Sequence, residues 1–109
     1  MPEAHDPDLI DMDVLARVAP VIRIAAHPIR LRIIDFLRAE GEPCPVNRIA
    51  EAADASQPTV SQQLRLLKDQ GILSCRRSGN SVLYAIANPN VLLILECIRR
   101  HEGGGCMEL

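Results

Sequence analysis

Aromatic residues are nearly absent from this sequence, which has no Trp, one Phe and one Tyr among 109 residues. The core must therefore be built from Leu, Ile, Val and Ala, as in a compact helical domain. A chain of this length forms one domain with a modest core, which dimerisation would help to stabilise. No apolar run is long enough to span a bilayer, and no signal of basic, apolar and small residues opens the chain. We therefore expect a cytoplasmic protein.

The sequence also lacks the patterns of an enzyme active site. It shows no nucleophile, base and orienting group at a workable spacing, and no glycine-rich loop of the kind that holds phosphate groups. We therefore expect a protein that binds a partner and is not an enzyme.

Negative charge is concentrated at the start of the chain, although the formal net charge of the whole chain is only -2. The first thirteen residues contain no Lys or Arg and five acidic residues: Glu3, Asp6, Asp8, Asp11 and Asp13. From residue 14 onward the chain carries a charge of +3, with 12 basic and 9 acidic side chains. Between residues 58 and 80 there are four basic side chains and a single acidic one, Asp69. This segment is therefore the candidate for an anionic partner such as DNA.

A short helix, a tight turn and a longer helix are predicted between residues 46 and 71. Apolar residues at helical spacing mark the first helix: Ile49, Ala50 and Ala53. The turn is Ala55-Ser56, and Ser56 suits the N-cap of the second helix. Apolar residues at i, i+4 and i+7 give that second helix one buried face: Val60, Leu64 and Leu67. Gly71 then ends it.

The other side of the second helix carries side chains that can contact DNA. These residues are Gln57, Thr59, Ser61, Gln62, Gln63, Arg65 and Lys68. Hydroxyl and amide groups can hydrogen-bond base edges, and the basic side chains can contact phosphates or guanine. Considered alone, the same residues also suit an ordinary solvated helix face.

A hairpin after this helix favours the DNA-binding interpretation. Strands are predicted on both sides of Ser78-Gly79-Asn80, because apolar residues alternate there and a glycine lies in the loop. Arg76 and Arg77 lie near the hairpin tip. A hairpin beside a recognition helix is a wing, and it can lay Arg76, Arg77 or Asn80 along a phosphate backbone or into a minor groove.

Three further helices are predicted outside this segment. The first begins at Asp8, and Pro20 should kink it or divide it into two shorter segments. The second begins at His27-Pro28, has Leu31, Ile34 and Leu37 on its inner face and ends at Gly41.

The last helix follows Asn88-Pro89-Asn90 and is apolar almost all round, which a surface helix of a small monomer would not tolerate. The first and last helices are therefore predicted to form a two-fold interface, although a monomer that encloses its last helix is the alternative.

The motifs of the chain occur together and in order: A-H-P-I-R-L-R-I-I-D-F-L, then S-Q-P-T-V-S-Q-Q-L, then R-R-S-G-N and Tyr84. In these motifs the sequence resembles the ArsR/SmtB family of bacterial winged-helix repressors over residues 26 to about 98. The resemblance implies a mainly α winged helix-turn-helix, with four helices, a small antiparallel β-hairpin and a fifth helix. It also implies a homodimer that represses transcription from an operator and that releases the operator, or binds it differently, when an inducer binds. Residues 1–7 are expected to be a flexible acidic arm, residues 8–102 the DNA-binding and dimerisation domain, and residues 103–109 a flexible tail.

The family's usual metal sites do not carry over intact. A C-x-C site on the first helix of the helix-turn-helix would fall on Pro45 and Asn47, and Cys44 lies one residue too early. The family's interhelical site pairs an Asp-x-His with a His-x-x-Glu on the last helix, where this chain has only His101 followed at once by Glu102.

A different metal site is predicted near the end of the last helix. Cys97 and His101 are four residues apart, so they lie on one helix face and can chelate one metal. Cys106, His5 and Glu102 are candidate additional ligands. Such a site would suit Zn(II), Ni(II) or Co(II), or As(III) if thiols alone bind it. The plainer alternative is a buried Cys97 and a His101 placed favourably at a helix C-terminus.

Two other functions stay open at the level of sequence. A thiol switch using Cys97 and Cys106 would make the regulator redox-responsive without a metal. A winged helix can also bind protein instead of DNA, although the polar and basic recognition face argues against that alternative.

Overall fold

The computed structural model describes residues 8–102 and shows five helices and three short strands over that range. In chain order they are α1 (Met12–Ala25), α2 (Pro28–Glu40), β1 (Cys44–Pro45), α3 (Val46–Ala53), α4 (Gln57–Asp69), β2 (Leu73–Ser78), β3 (Ser81–Ile86) and α5 (Val91–Glu102). The arrangement is a winged helix-turn-helix, as the sequence predicts. None of the helices in this range is long and apolar enough to cross a membrane.

α1 differs from the prediction at both its start and its middle. It begins at Met12, not at Asp8, because Asp11 caps it by accepting a hydrogen bond from the Asp13 N–H at 3.1 Å. Pro20 lies inside one continuous helix, so of the two predicted outcomes, a kink or a division into two shorter segments, the division does not occur. A proline removes one hydrogen bond to the residue four positions earlier. Here that residue is the exposed Ala16, whose carbonyl can bind water instead.

Local capping fixes α2 as the sequence predicts. The His27 Nδ1 accepts a hydrogen bond from the Ile29 N–H at 3.3 Å, with Pro28 in the first turn. Gly41 ends the helix in the left-handed region at φ 72°, where a glycine has no steric penalty. The inner face differs in one position, because Ile33 is fully buried and Leu31 is only half-buried.

The helix-turn-helix consists of α3, a short turn and α4. Asp54 ends α3 at φ 55°, and its N–H donates to the carbonyls of Ala50 and Glu51. A left-handed aspartate reverses the chain direction at this point, so that α4 can start three residues later. Ser56 then caps α4 by accepting a hydrogen bond from the Thr59 N–H at 3.2 Å. The predicted N-cap is therefore confirmed.

The sheet has three antiparallel strands in the order β1-β3-β2, one more than the predicted hairpin. β2 and β3 pair from Leu73 opposite Ile86 to Ser78 opposite Ser81, and Gly79-Asn80 forms the loop. β1 pairs Cys44 with Tyr84 on the other side of β3. Because β1 directly precedes α3, this pairing ties the wing to the helix-turn-helix.

The core lies between α2, α3, α4 and the base of the wing. Its largest fully buried side chains are Ile33, Ile34, Ile49, Leu64, Leu67, Ile72, Leu73, Val60, Val91 and Cys44. The buried face predicted for α4 is thus confirmed in all three positions. The apolar residues of α1 behave differently, because Leu15, Val18 and Ile22 remain 39–47% exposed.

Candidate nucleic-acid interface

The outward face of α4 is polar and is directed away from the core. Residues on an α-helix follow one another at about 100°, so the side of α4 that faces away from the core can be located. The buried face is formed by Val60, Leu64 and Leu67, and the side away from it carries Pro58, Gln62, Arg65 and Asp69. Both Gln62 and Arg65 are exposed. Gln57, Ser61 and Lys68 flank this face on one side, and Thr59 and Gln63 flank it on the other. The arrangement places amide, hydroxyl and cationic groups on a surface that a major groove can admit.

Thr59 takes part in the cap at the start of α4. The Ser56 hydroxyl donates to the Thr59 Oγ1 at 3.0 Å, while the Thr59 N–H donates to the Ser56 Oγ. The Thr59 hydroxyl can still donate its own proton outward. Thr59 therefore serves the cap first and is left with one donor for a partner.

Gln63 is also engaged within the protein. Its Oε1 accepts a hydrogen bond from the Arg30 Nε at 2.7 Å, and the pair is partly buried. The same guanidinium donates through Nη1 to the Ile24 carbonyl at 3.0 Å. Gln63 therefore faces α2 on the flank of α4, while Gln62 and Arg65 occupy the centre of the outward face.

The wing presents its basic residues at the tip of the hairpin. Arg76 pairs with Leu83 and Arg77 with Val82, so the two arginines point to opposite faces of β2. Both side chains are exposed, as is Asn80 in the loop. One arginine on each face lets the wing meet phosphates on either side of a groove.

Arg65 connects the recognition helix electrostatically with the wing through Tyr84. Burial raises the pKa of the Tyr84 phenol and Cys75 adds to the rise, whereas the Arg65 charge lowers it. The net shift is upward, so Tyr84 is neutral at physiological pH. α4 also packs against the β2 strand of the wing, so the outward face of α4 lies beside the wing.

The predicted metal ligands are only partly within the described residues. Cys97 and His101 are both exposed on α5 of the single chain, so Cys97 is not buried within its own protomer. His5 and Cys106 lie outside the described residues. Within residues 8–102 no three His, Cys, Asp or Glu side chains come together in a geometry that could hold a metal ion.

The surroundings of the other two described cysteines, Cys44 and Cys75, indicate a structural role. Cys44 is fully buried, and its thiol donates to the Glu42 carbonyl at 3.3 Å. Burial raises the pKa of the Cys44 thiol, which keeps it protonated and unreactive. Cys75 is half-buried opposite Tyr84. Cys44, Cys75 and Cys97 are all free thiols.

Two residues near this interface were not identified from the sequence. Arg30 contacts Gln63 from 33 positions away, and the Arg65 charge acts on the pKa of Tyr84 in the wing, a residue distant from it in sequence. The sequence of α2 does not single out Arg30, because the helix carries three arginines.

Comparisons with known proteins agree with this geometry. A family model described as a helix-turn-helix domain matches residues 25–76. The chain is 36% identical over 87 residues to the HTH-type transcriptional regulator NmtR of Mycobacterium tuberculosis, a match that covers 80% of this chain and 71% of the relative. The antimony-specific transcriptional repressor AntR has a similar structure, with a TM-score of 0.77, 32% identity, and coverage of 95% of this chain and 96% of AntR. The homodimeric winged helix-turn-helix domain Mb0332 of Mycobacterium bovis, described as a possible ArsR-family regulator, gives a TM-score of 0.70 at 27% identity and covers 95% of this chain and 100% of that domain.

Proposed function

The chain belongs to the ArsR/SmtB family of winged helix-turn-helix transcriptional regulators, and we propose that α4 and the β2–β3 wing are its DNA-contacting surface. Members of this family repress transcription, and the chain is accordingly a DNA-binding regulator that acts as a homodimer on an operator. The observation that supports the proposed surface best is the polar, exposed outward face of α4, a helix that packs against the β2 strand of the wing.

Within this surface the residues divide into three roles. Gln62 and Arg65 contact base edges, because they occupy the centre of the outward face. Residues on the flanks of α4 contact phosphates and edge bases: Gln57, Thr59, Ser61, Gln63 and Lys68. Arg76, Arg77 and Asn80 contact the backbone beside the major groove, where their exposure leaves them available.

The apolar surfaces of α1 and α5 supply the dimer interface. Ile22 is 47% exposed, Leu93 is 65% exposed and Ile98 is 43% exposed, and Ile22 and Leu93 line a common groove between the two helices. A second copy that covers this groove removes the apolar surface from water. Two-fold symmetry then places the recognition helices about 34 Å apart, one turn of DNA, on a palindromic operator.

The proposed recognition face can be tested before the operator sequence is identified. A pool of random duplexes is selected on the purified protein, and the enriched site is then bound by wild type, Gln62→Ala and Arg65→Ala. Each variant should lose about 5- to 150-fold in affinity for the enriched site, the value of a well-placed base contact. Gln70→Ala, an exposed residue at the C-terminal end of α4, is the matched control. If the Gln62 and Arg65 variants bind as tightly and as selectively as that control, the recognition face is wrongly assigned.

We further propose that a thiophilic metal ion or metalloid is the inducer, with Cys97 and His101 as its ligands on α5. Both side chains are exposed and lie on one helix face, and AntR is named as an antimony-specific repressor. Two ligands do not complete a site for Zn(II), Ni(II) or Co(II). Cys106 or His5 would complete it, and As(III) would bind Cys97 with Cys106. A metal-free switch in which Cys97 and Cys106 form a disulfide is the second candidate.

Cobalt distinguishes these two candidates, because thiolate ligation of Co(II) gives a charge-transfer absorption. The reduced wild type should show that band and should lose about 5- to 150-fold in affinity for the enriched duplex. Cys97→Ser and His101→Ala should abolish both effects, and Cys75→Ser should retain them. A wild type that ignores Co(II), Zn(II) and As(III) but releases DNA on oxidation, with a mass loss of 2 Da, would establish the disulfide switch instead.

A further inference from the structure

Arg30 connects three helices at once. It lies near the start of α2, and its guanidinium donates to the Ile24 carbonyl at 3.0 Å and to the Gln63 Oε1 at 2.7 Å. Ile24 belongs to the last turn of α1, where carbonyls have no partner within the helix. Arg30 therefore completes the C-terminal end of α1 and holds the side of α4 with the same planar group. Both hydrogen bonds are partly buried, which strengthens them relative to exposed ones.

The Arg30 contact also determines which way the Gln63 amide points. A guanidinium has donors only, so the group it contacts on Gln63 must be the carbonyl oxygen. The Gln63 NH₂ group then points away from Arg30 and is the part left for a partner. A glutamine that contacts adenine in the usual bidentate way needs both its oxygen and its nitrogen. The Gln63 NH₂ group can then donate to acceptors such as a phosphate oxygen, the guanine O6 or N7, or the thymine O4, while one lone pair of the Gln63 oxygen is occupied by Arg30.

We propose that Arg30 is a positioning residue for operator recognition, which sets α4 against the end of α1 and orients the Gln63 amide with its NH₂ group away from Arg30. This inference depends on the proposed DNA-contacting surface. Its consequence concerns the dimer, because α1 is also part of the proposed interface. The Arg30 bridge ties the recognition helix directly to the surface that sets the separation of the two copies.

A direct phosphate contact by Arg30 would have a different signature. Each phosphate that a basic residue neutralises contributes about 0.9 to the slope of log affinity against log salt concentration. A positioning residue leaves that slope and the affinity for random duplex unchanged, because the charge itself does not touch the DNA. It lowers only the affinity for the selected site. The salt slope therefore distinguishes the two roles.

The test compares Arg30→Met, Gln63→Met, the double variant and the control Arg38→Met. Arg38 is also on α2, but it bonds Asp35 and not α4. Wild type and variants are titrated with the enriched duplex and with a random duplex at several salt concentrations. Arg30→Met should lose about tenfold in affinity for the enriched duplex with an unchanged salt slope. The double variant should lose no more than Gln63→Met alone, since Arg30 acts through Gln63.

Folding is verified for each variant by circular dichroism and by its oligomeric state. If Arg30→Met does not fold, Arg30→Lys replaces it, because lysine keeps the charge but not the planar fork that makes both bonds. Additive losses in the double variant, or a salt slope that falls by about 0.9 per protomer in Arg30→Met, would overturn the positioning role. A wild type that enriches no duplex would instead overturn the DNA-contacting surface itself.

Discussion

Arg99 of α5 and Asp35 of α2 form an ion pair in which the Arg99 guanidinium donates to the Asp35 Oδ1 at 2.6 Å. Arg38 donates to the same oxygen at 2.9 Å, so one carboxylate holds two arginines. The pair joins the helix that carries Cys97 to the helix that carries Arg30. Its side chains are a third to a half exposed, so its effect on stability is modest, but its position links α5 to the DNA-binding core.

Lowering the pH should weaken the ion pair between Asp35 and Arg99. Burial alone would raise the pKa of Asp35, but the hydrogen bonds and charges of Arg38 and Arg99 outweigh it and the pKa is lowered. A carboxyl whose pKa is lowered by folding stabilises the fold above its ordinary pKa, and the stabilisation is lost as the pH falls through the folded value. We expect Asp35→Asn to be less stable than wild type at pH 7 and to show a smaller loss of stability between pH 5 and pH 2. Urea unfolding at each pH measures both. An identical pH dependence in Asp35→Asn and wild type would contradict this prediction.

Truncation of the buried face of α4 should destabilise the fold strongly. Leu64 of α4 is fully buried in the core. Leu64→Ala would leave a cavity there and lower the free energy of unfolding by about 2–5 kcal/mol. Ala39→Gly on the exposed side of α2 is a control for a change in helix propensity alone, which costs about 1 kcal/mol. Chemical denaturation gives both values. A cost for Leu64→Ala no larger than that of the control would mean that α4 does not pack as described.

Charges placed on the exposed apolar groove should separate the dimer. Leu93 is 65% exposed and Ile22 is 47% exposed, so Leu93→Asp and Ile22→Asp leave the described core intact. In the dimer the new carboxylates would be buried without partners, which is costly. Sedimentation should therefore detect a folded monomer with weak operator affinity. Ser74→Asp, on the exposed face of β2, should remain dimeric.

The cysteines should differ widely in reactivity. Cys44 is fully buried and the pKa of its thiol is raised, whereas Cys97 is exposed. Iodoacetamide at pH 8 should therefore alkylate Cys97 quickly and Cys44 only when the fold opens. Peptide mass spectrometry over time measures each site. Equal rates at the two positions would show that the sheet around Cys44 is open.

Local chemistry explains which parts of the fold the sequence could predict. The caps at His27 and Ser56 follow from side chains that bond neighbouring backbone, and the cap at Gly41 follows from a left-handed backbone that glycine tolerates. In each case a short window contains the whole interaction. Pro20 shows the limit of such a window, because the cost of one missing hydrogen bond depends on whether the orphaned carbonyl reaches water. A local rule cannot provide that information.

Interactions between distant segments could not be predicted in this way. The strand β1 consists of only two residues, Cys44 and Pro45, and Tyr84, which pairs with Cys44, lies 40 positions later. The Arg30 contact with Gln63 likewise joins positions 33 apart. For the recognition surface the sequence therefore indicates the candidate residues, while the structure separates the central Gln62 and Arg65 from flanking residues that are already bonded within the protein.

The two-residue strand β1 has a consequence for the length of an operator half-site. Because Cys44 is paired with Tyr84 in the wing and Val46 begins α3 directly after Pro45, no flexible residue separates wing from helix-turn-helix on this side. On the proposed DNA-contacting surface, the face of α4 and the arginines of the wing should therefore keep a fixed spacing. One extra base pair inserted between their two contacts would displace the second contact by about 3.4 Å along the axis, and we expect the affinity for such a half-site to fall.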